Sequence, residues 1–100
     1  MSQLVVITGA NSGIGIEACV QLAKLGHSVV MCCRSVEKGE KAREQVIKRA
    51  GVDGSQIFLV QLDLADLDNI GSFRSRYDPV VGTKPIDMLI LNAGIMGTLI

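Results

Sequence analysis

The 100-residue sequence predicts an α/β fold, a doubly wound parallel β-sheet with helices on both faces. Three observations predict it. Short apolar runs recur four times, each the length of a strand. Longer amphipathic stretches separate them, so strands and helices alternate. A glycine cluster lies between the first run and the first amphipathic stretch. The runs are apolar throughout, as strands covered on both faces are. The length allows one domain and the hydrophobic content of 48% supplies its core.

The elements follow in order. Leu4 to Thr8 is a buried strand that ends at Gly9. A helix from about Gly13 to Leu25 packs through Gly15, Cys19, Leu22, Ala23 and Gly26, with Gly26 as its C-cap. Ser28 to Cys32 is the second strand. Ser35 caps a helix from Val36 to Ala50 that buries Val36, Ala42, Val46 and Ile47. Its outer face offers Glu37–Lys41 and Glu44–Lys48, each four apart with the acid first. Gly51 to Ser55 is a turn, and Gln56 to Leu62 is the third strand. Asp66 caps a helix that shows Leu67, Ile70, Phe73 and Tyr77 on one side. Pro79, Gly82 and Pro85 mark a loop. Ile86 to Leu91 is the fourth strand. Right-handed crossovers and a strand order of 3-2-1-4 follow, with the switch point between strands one and four.

The segment Thr8-Gly9-Ala10-Asn11-Ser12-Gly13-Ile14-Gly15 links a strand to a helix. In that setting Gly9 turns the chain off the strand, Gly13 clears space for a pyrophosphate, and Gly15 allows close packing. The helix N-terminus, Ile14 included, offers N–H groups to phosphate oxygens. Asn11 and Ser12 add side-chain hydrogen bonds. A P-loop would need Lys after the last glycine, and Ile16 stands there. The string TGANSGIG resembles the TGxxxGxG loop of the short-chain dehydrogenase/reductase family. The resemblance covers essentially the whole chain. It is strongest toward the retinol dehydrogenase-like and light-dependent protochlorophyllide reductase-like groups, through VVITGANSGIG, VVMCCRSVEKGEKA, LVQLDLADL and LILNAGIM. It implies a Rossmann-type fold, truncated to its first four strands, and a nicotinamide cofactor.

The cofactor's identity is legible at the end of strand two. NAD enzymes of this fold place an acid there, about 20 residues past the glycines, to hold the ribose 2′-hydroxyl. This chain has Arg34, which would pair with a 2′-phosphate through two hydrogen bonds. Lys38, one helical turn on, adds a second positive charge or is an ordinary exposed helix residue. The reading is NADP. By resemblance, Asp63 accepts from the adenine amino group and Leu64 backs the ring; the plainer alternative is that Asp63 closes a turn. Asn92-Ala93-Gly94 matches the family's NAG motif. There Gly94 lets backbone approach the nicotinamide ribose, and Asn92 ties strand four to its neighbour.

Other function classes fit poorly. Ten basic and ten acidic residues balance, and aromatics are 3%, so nucleic acid is not expected as a partner. No run is long enough to cross a bilayer. Cys19, Cys32 and Cys33 lack metal-site spacing and suit reduced, buried thiols in the cytoplasm. His27 is read as a loop residue. The family's chemistry needs a serine, a tyrosine and a lysine four residues after it. The one tyrosine, Tyr77, has Val81 at that offset and lies on an apolar stripe. The catalytic segment, the substrate pocket and the oligomer-forming helices are therefore expected past Ile100. Residues 1–100 are read as the NADP-binding half-domain of an oxidoreductase acting on a lipophilic alcohol or carbonyl, or on protochlorophyllide. The chain alone is expected to be inactive, and marginally stable because strand four leaves an open edge. The alternatives are a short NADP-binding module without catalysis and a product with no function.

Overall fold

A computed structural model describes residues 2–92. Its four strands form one sheet in the order β3-β2-β1-β4. β1 (Leu4–Thr8) pairs in parallel with β2 (Ser28–Cys33) and with β4 (Met88–Ile90), and β2 pairs in parallel with β3 (Ile57–Gln61). The expected topology is thus observed. Side chains alternate across the sheet with the period of two that the pleat imposes. Val5, Ile7, Val29, Met31, Cys33 and Ile57 face one cluster, and Val6, Val30, Cys32 and Val60 face the other.

The first cluster lies under α1 (Gly13–Lys24) and α2 (Val36–Ala50), which pack on each other and on the sheet. Helix α1 buries Gly15, Cys19, Val20 and Ala23. Gly26 is exposed and does not belong to the packed stripe. It ends the helix as expected, at φ 89°, with its N–H on the Ala23 carbonyl and the His27 N–H on that of Leu22. Ser35 caps α2 by accepting from the Lys38 N–H, and Asp66 caps the next helix by accepting from Asp68 and Asn69.

Several expectations are corrected. Val36 is half exposed at the first turn of α2, and Gly39, one turn on, makes the close contact instead. A Cβ on Gly39 would stand 2.8 Å from Leu59 Cδ1. Neither Glu37–Lys41 nor Glu44–Lys48 forms an ion pair; among the described residues the pairs are Glu17–Arg49, which joins α1 to α2, and Arg74–Asp78. The single helix expected after Asp66 is two, α3 (Leu67–Gly71) and α4 (Phe73–Val81), broken where Ser72 leaves helical geometry. Leu67 and Ile70 are exposed, while Phe73 and Tyr77 pack on the sheet as expected. Pro79 lies inside α4 and not in the loop, and the helix stops two residues later. β4 is shorter than Ile86 to Leu91, and β3 is shorter than Gln56 to Leu62. At β4, side-chain bonds mark both ends: the Leu4 N–H donates to the Asp87 carboxylate and the Asn92 N–H to the Thr8 hydroxyl.

Candidate functional site

The C-terminal ends of β1, β2 and β3 open into a cleft of about 280 Å³ beside the switch point. Open α/β sheets bind ligands there. Thr8, Gly9, Asn11 and Ser12 form one wall, Arg34, Ser35 and Lys38 the second, and Leu62, Asp63, Leu64 and Ala65 the third; Cys32 also lines the cleft. Seven residues singled out in the sequence are therefore brought together: Gly9, Asn11, Ser12, Arg34, Lys38, Asp63 and Leu64. Ser35 and Ala65 line the cleft without having been singled out for it. Their signal was adjacency to Arg34 and Leu64.

The glycine loop takes its shape from a few contacts. Gly9 has φ 59°, a left-handed conformation that turns the chain off β1. Ser12 caps α1: its Oγ accepts from the Gly15 N–H at 3.0 Å and from Asn92 Nδ2 at 2.9 Å. The hydroxyl proton remains available for a ligand. Asn92 Nδ2 also donates to the Gly9 carbonyl at 3.3 Å. Asn92 thus fastens β4 to the loop from behind and does not line the cleft. Ala93 and Gly94 lie outside the described residues.

The last two glycines of the loop differ in kind. A Cβ on Gly15 would stand 2.6 Å from the Gly9 carbonyl oxygen and 2.9 Å from Asn92 Nδ2. The fold itself therefore requires glycine at 15. A Cβ on Gly13 would meet nothing within 4 Å. Among the described residues no protein atom requires glycine at 13, and the space beside the helix start is open. Gly13 and Ile14 are both exposed, and their N–H groups find no partner among the described residues.

The charged groups are placed for an anion. Arg34 and Lys38 are exposed, and no ion pair among the described residues engages either. Asp63 closes a turn, as in its plainer alternative: its Oδ1 accepts from the Ala65 N–H at 3.0 Å. One carboxylate oxygen is thereby used, and among the described residues no group donates to the other. Beneath the cleft, burial pushes the Cys32 thiol up to about 12, with smaller contributions from Cys33 and Cys19. A thiol so placed carries no charge at neutral pH and is no nucleophile. Tyr77 is buried on the far face, its hydroxyl has no partner among the described residues, and burial pushes its pKa up.

A family model described as short chain dehydrogenase matches residues 3–99. The chain belongs to the short-chain dehydrogenase family. This family binds a nicotinamide cofactor and its members are oxidoreductases. The chain is 43% identical to retinol dehydrogenase 12 of Mus musculus over 94% of its own length and 28% of that protein. It is 35% identical to (-)-isopiperitenone reductase of Mentha piperita, over 92% of this chain and 29% of that one. Among solved structures, menthone neomenthol reductase from Mentha piperita matches with a TM-score of 0.82 at 37% identity, over 97% of this chain and 33% of that one. This dehydrogenase chain therefore spans about a third or less of the relatives it matches. Its fit to a dinucleotide rests on the geometry of the described residues: a cleft beside the switch point, open space at Gly13 and two cations that no described ion pair engages. No described helix is long and apolar enough to cross a membrane.

Proposed function

We propose that this chain is the NADP(H)-binding part of an oxidoreductase that moves hydride between NADP(H) and a lipophilic alcohol or carbonyl compound. The observation that carries the reading is the convergence of Arg34 and Lys38 on the cleft that also holds Gly9, Asn11, Ser12, Asp63 and Leu64. Arg34 takes the 2′-phosphate through its planar fork, and Lys38 adds charge. The N–H groups of Gly13 and Ile14 receive the pyrophosphate, helped by the α1 dipole and the Ser12 hydroxyl. The free oxygen of Asp63 accepts from the adenine amino group, and Leu64 backs the ring. By resemblance of the NAG motif, Gly94 lets backbone approach the nicotinamide ribose. The bound cofactor supplies the hydride donor or acceptor.

Support for NADP also comes from L-sorbose reductase from Gluconobacter frateurii, solved in complex with NADPH and L-sorbose. It matches over 93% of this chain and 34% of that one, at 28% identity and a TM-score of 0.73. Support for a lipophilic substrate comes from the names of retinol dehydrogenase 12 and menthone neomenthol reductase. The three unpaired cysteines suit a reducing compartment such as the cytoplasm.

Calorimetric titration with NADPH and NADH tests the reading. NADPH should bind more tightly, and Arg34→Asp should reverse the order. The loss of NADPH affinity should be about tenfold to a hundredfold, the worth of a charged hydrogen-bonded pair. Equal affinity for the two cofactors, unchanged by the substitution, would sink the assignment of Arg34.

A further inference from the structure

Behind the cleft lies a polar network that the cofactor reading does not use. The ladder between β2 and β3 ends at the pair Cys33 and Gln61, followed by the Leu62 N–H on the Cys33 carbonyl. Past that point the two chains diverge into α2 and α3, and the gap between them becomes the cleft. One described bond crosses it there: Gln61 Nε2 donates to the Arg34 carbonyl at 3.0 Å. Gln61 is oriented in turn by Asn69, whose Nδ2 donates to Gln61 Oε1 at 2.7 Å. Asn69 Oδ1 accepts from the Asp63 N–H at 2.7 Å. The chain of bonds thus runs from the backbone of Arg34 to the backbone of Asp63.

Arg76 of α4 fixes this chain in place. Its guanidinium donates to Asn69 Oδ1 at 3.0 Å, to the Asn69 carbonyl at 2.8 Å and to the Gln61 carbonyl at 3.0 Å. It also reaches the Ser72 hydroxyl at 2.8 Å. All three guanidinium nitrogens are engaged, so Arg76 is not a solvated helix cation. Because Asn69 Oδ1 receives both the Asp63 N–H and Arg76, moving either partner moves the other. A charged donor of this kind makes the stronger type of hydrogen bond.

We propose that Asn69, Gln61 and Arg76 form a positioning unit that sets the distance between the Arg34 wall and the Asp63 wall, and so the selectivity for the base. This rests on the NADP reading above, in which Arg34 holds the 2′-phosphate and Asp63 reads the adenine amino group. None of the three residues lines the cleft. They act through the backbone of the two residues that do.

The test compares NADPH with its deamino analogue, which carries hypoxanthine in place of adenine, on the full chain by calorimetry. The wild-type chain should prefer NADPH by about tenfold, the worth of one hydrogen bond to a charged acceptor. Asn69→Ala should bring the two affinities together and raise hydrogen exchange at the Asp63 amide. Asn69→Asp keeps the acceptor contacts to the Asp63 N–H and Arg76 but loses the donor to Gln61, so it should restore protection of the Asp63 amide without restoring the preference. The Asn69 backbone N–H still meets the Asp66 cap in both variants, so α3 keeps its N-terminus. If Asn69→Ala weakens both nucleotides in parallel and leaves their ratio unchanged, the network is only structural and the proposal is overturned. If the wild-type chain binds neither nucleotide, the NADP reading itself fails, and the positioning role falls with it.

Discussion

On the face covered by α1 and α2, Val5, Ile7, Val29, Met31 and Ile57 are withdrawn from solvent, and two helices roof them. On the other face, α4 lies over β3, while Leu89 of β4 and Leu67 of α3 remain exposed, Leu67 by 84%. Both regions have the same kind of apolar sequence. They differ in whether a second element lies within reach. Amphipathic patterning states which side chains seek a core, and burial follows only where a partner surface is present. The cleft draws its loop and its α1 terminus from the first region and its Asp63–Leu64 wall from the α3 side.

The largest expected effect separates the two regions directly. Ile7→Ala empties a fully buried site and should cost about 2–5 kcal/mol in urea unfolding. Leu89→Ala removes a half-exposed side chain and should stay within about 0.5 kcal/mol. A Leu89→Ala cost equal to that of Ile7→Ala would show that β4 is covered in solution, and the contrast would collapse.

The same contrast explains what was legible in the sequence. Strand order, the glycine loop and the caps at Ser35 and Asp66 could all be read, because each rests on local chemistry or on chirality. Ser12 was placed among the ligand-binding residues, yet in the structure it also caps α1, because one hydroxyl can serve both. The clustering of Arg34 with Asp63 was legible only as motif positions; the bonds of Asn69 and Arg76 that join Gln61 to the Asp63 backbone were not. Those two residues carry no motif, and their contacts arise only where α3 and α4 meet the end of β3. The break at Ser72 was missed because Ile70, Phe73 and Tyr77 keep helical spacing across it. Val36 was read as buried because spacing alone does not show where the helix meets the sheet.

A smaller effect is expected within the glycine loop. Gly15→Ala forces a methyl group against the Gly9 carbonyl and the Asn92 amide, both at the junction of β1 with β4. Overpacking of this kind should cost about 1–3 kcal/mol. Gly13→Ala meets open space at the start of a helix, where alanine is the better helix former. Its stability should be unchanged or rise by up to about 1 kcal/mol, while NADPH affinity falls. Denaturation and calorimetry on the two variants separate the roles. A Gly13→Ala chain that binds NADPH as the parent does would remove the strongest geometric mark of a ligand at the α1 terminus.

The smallest effect at neutral pH concerns the thiols, and it probes both faces at once. Burial is the main cause that raises Cys19 under α1 and Cys32 on the α4 side, each from 9.0 to about 12. In the unfolded chain both thiols ionise near the lower value. Below pH 9 both states keep their protons, and the thiols leave stability unchanged with pH. Between pH 9 and about 12 the unfolded chain loses protons that the folded chain retains. Stability therefore falls as pH rises through that window, by roughly 1.4 kcal/mol per pH unit for each thiol. Tyr77, also raised by burial, acts in the same direction. Urea midpoints measured from pH 8 to 11 should show the slope, and Cys19→Ala and Cys32→Ala should each remove part of it. Equal parts would mean that the centre of the sheet is as dry under α4 as under α1 and α2. A smaller part for Cys32→Ala would mean that water reaches the α4 face, and the difference between the two regions would extend inward to the strands.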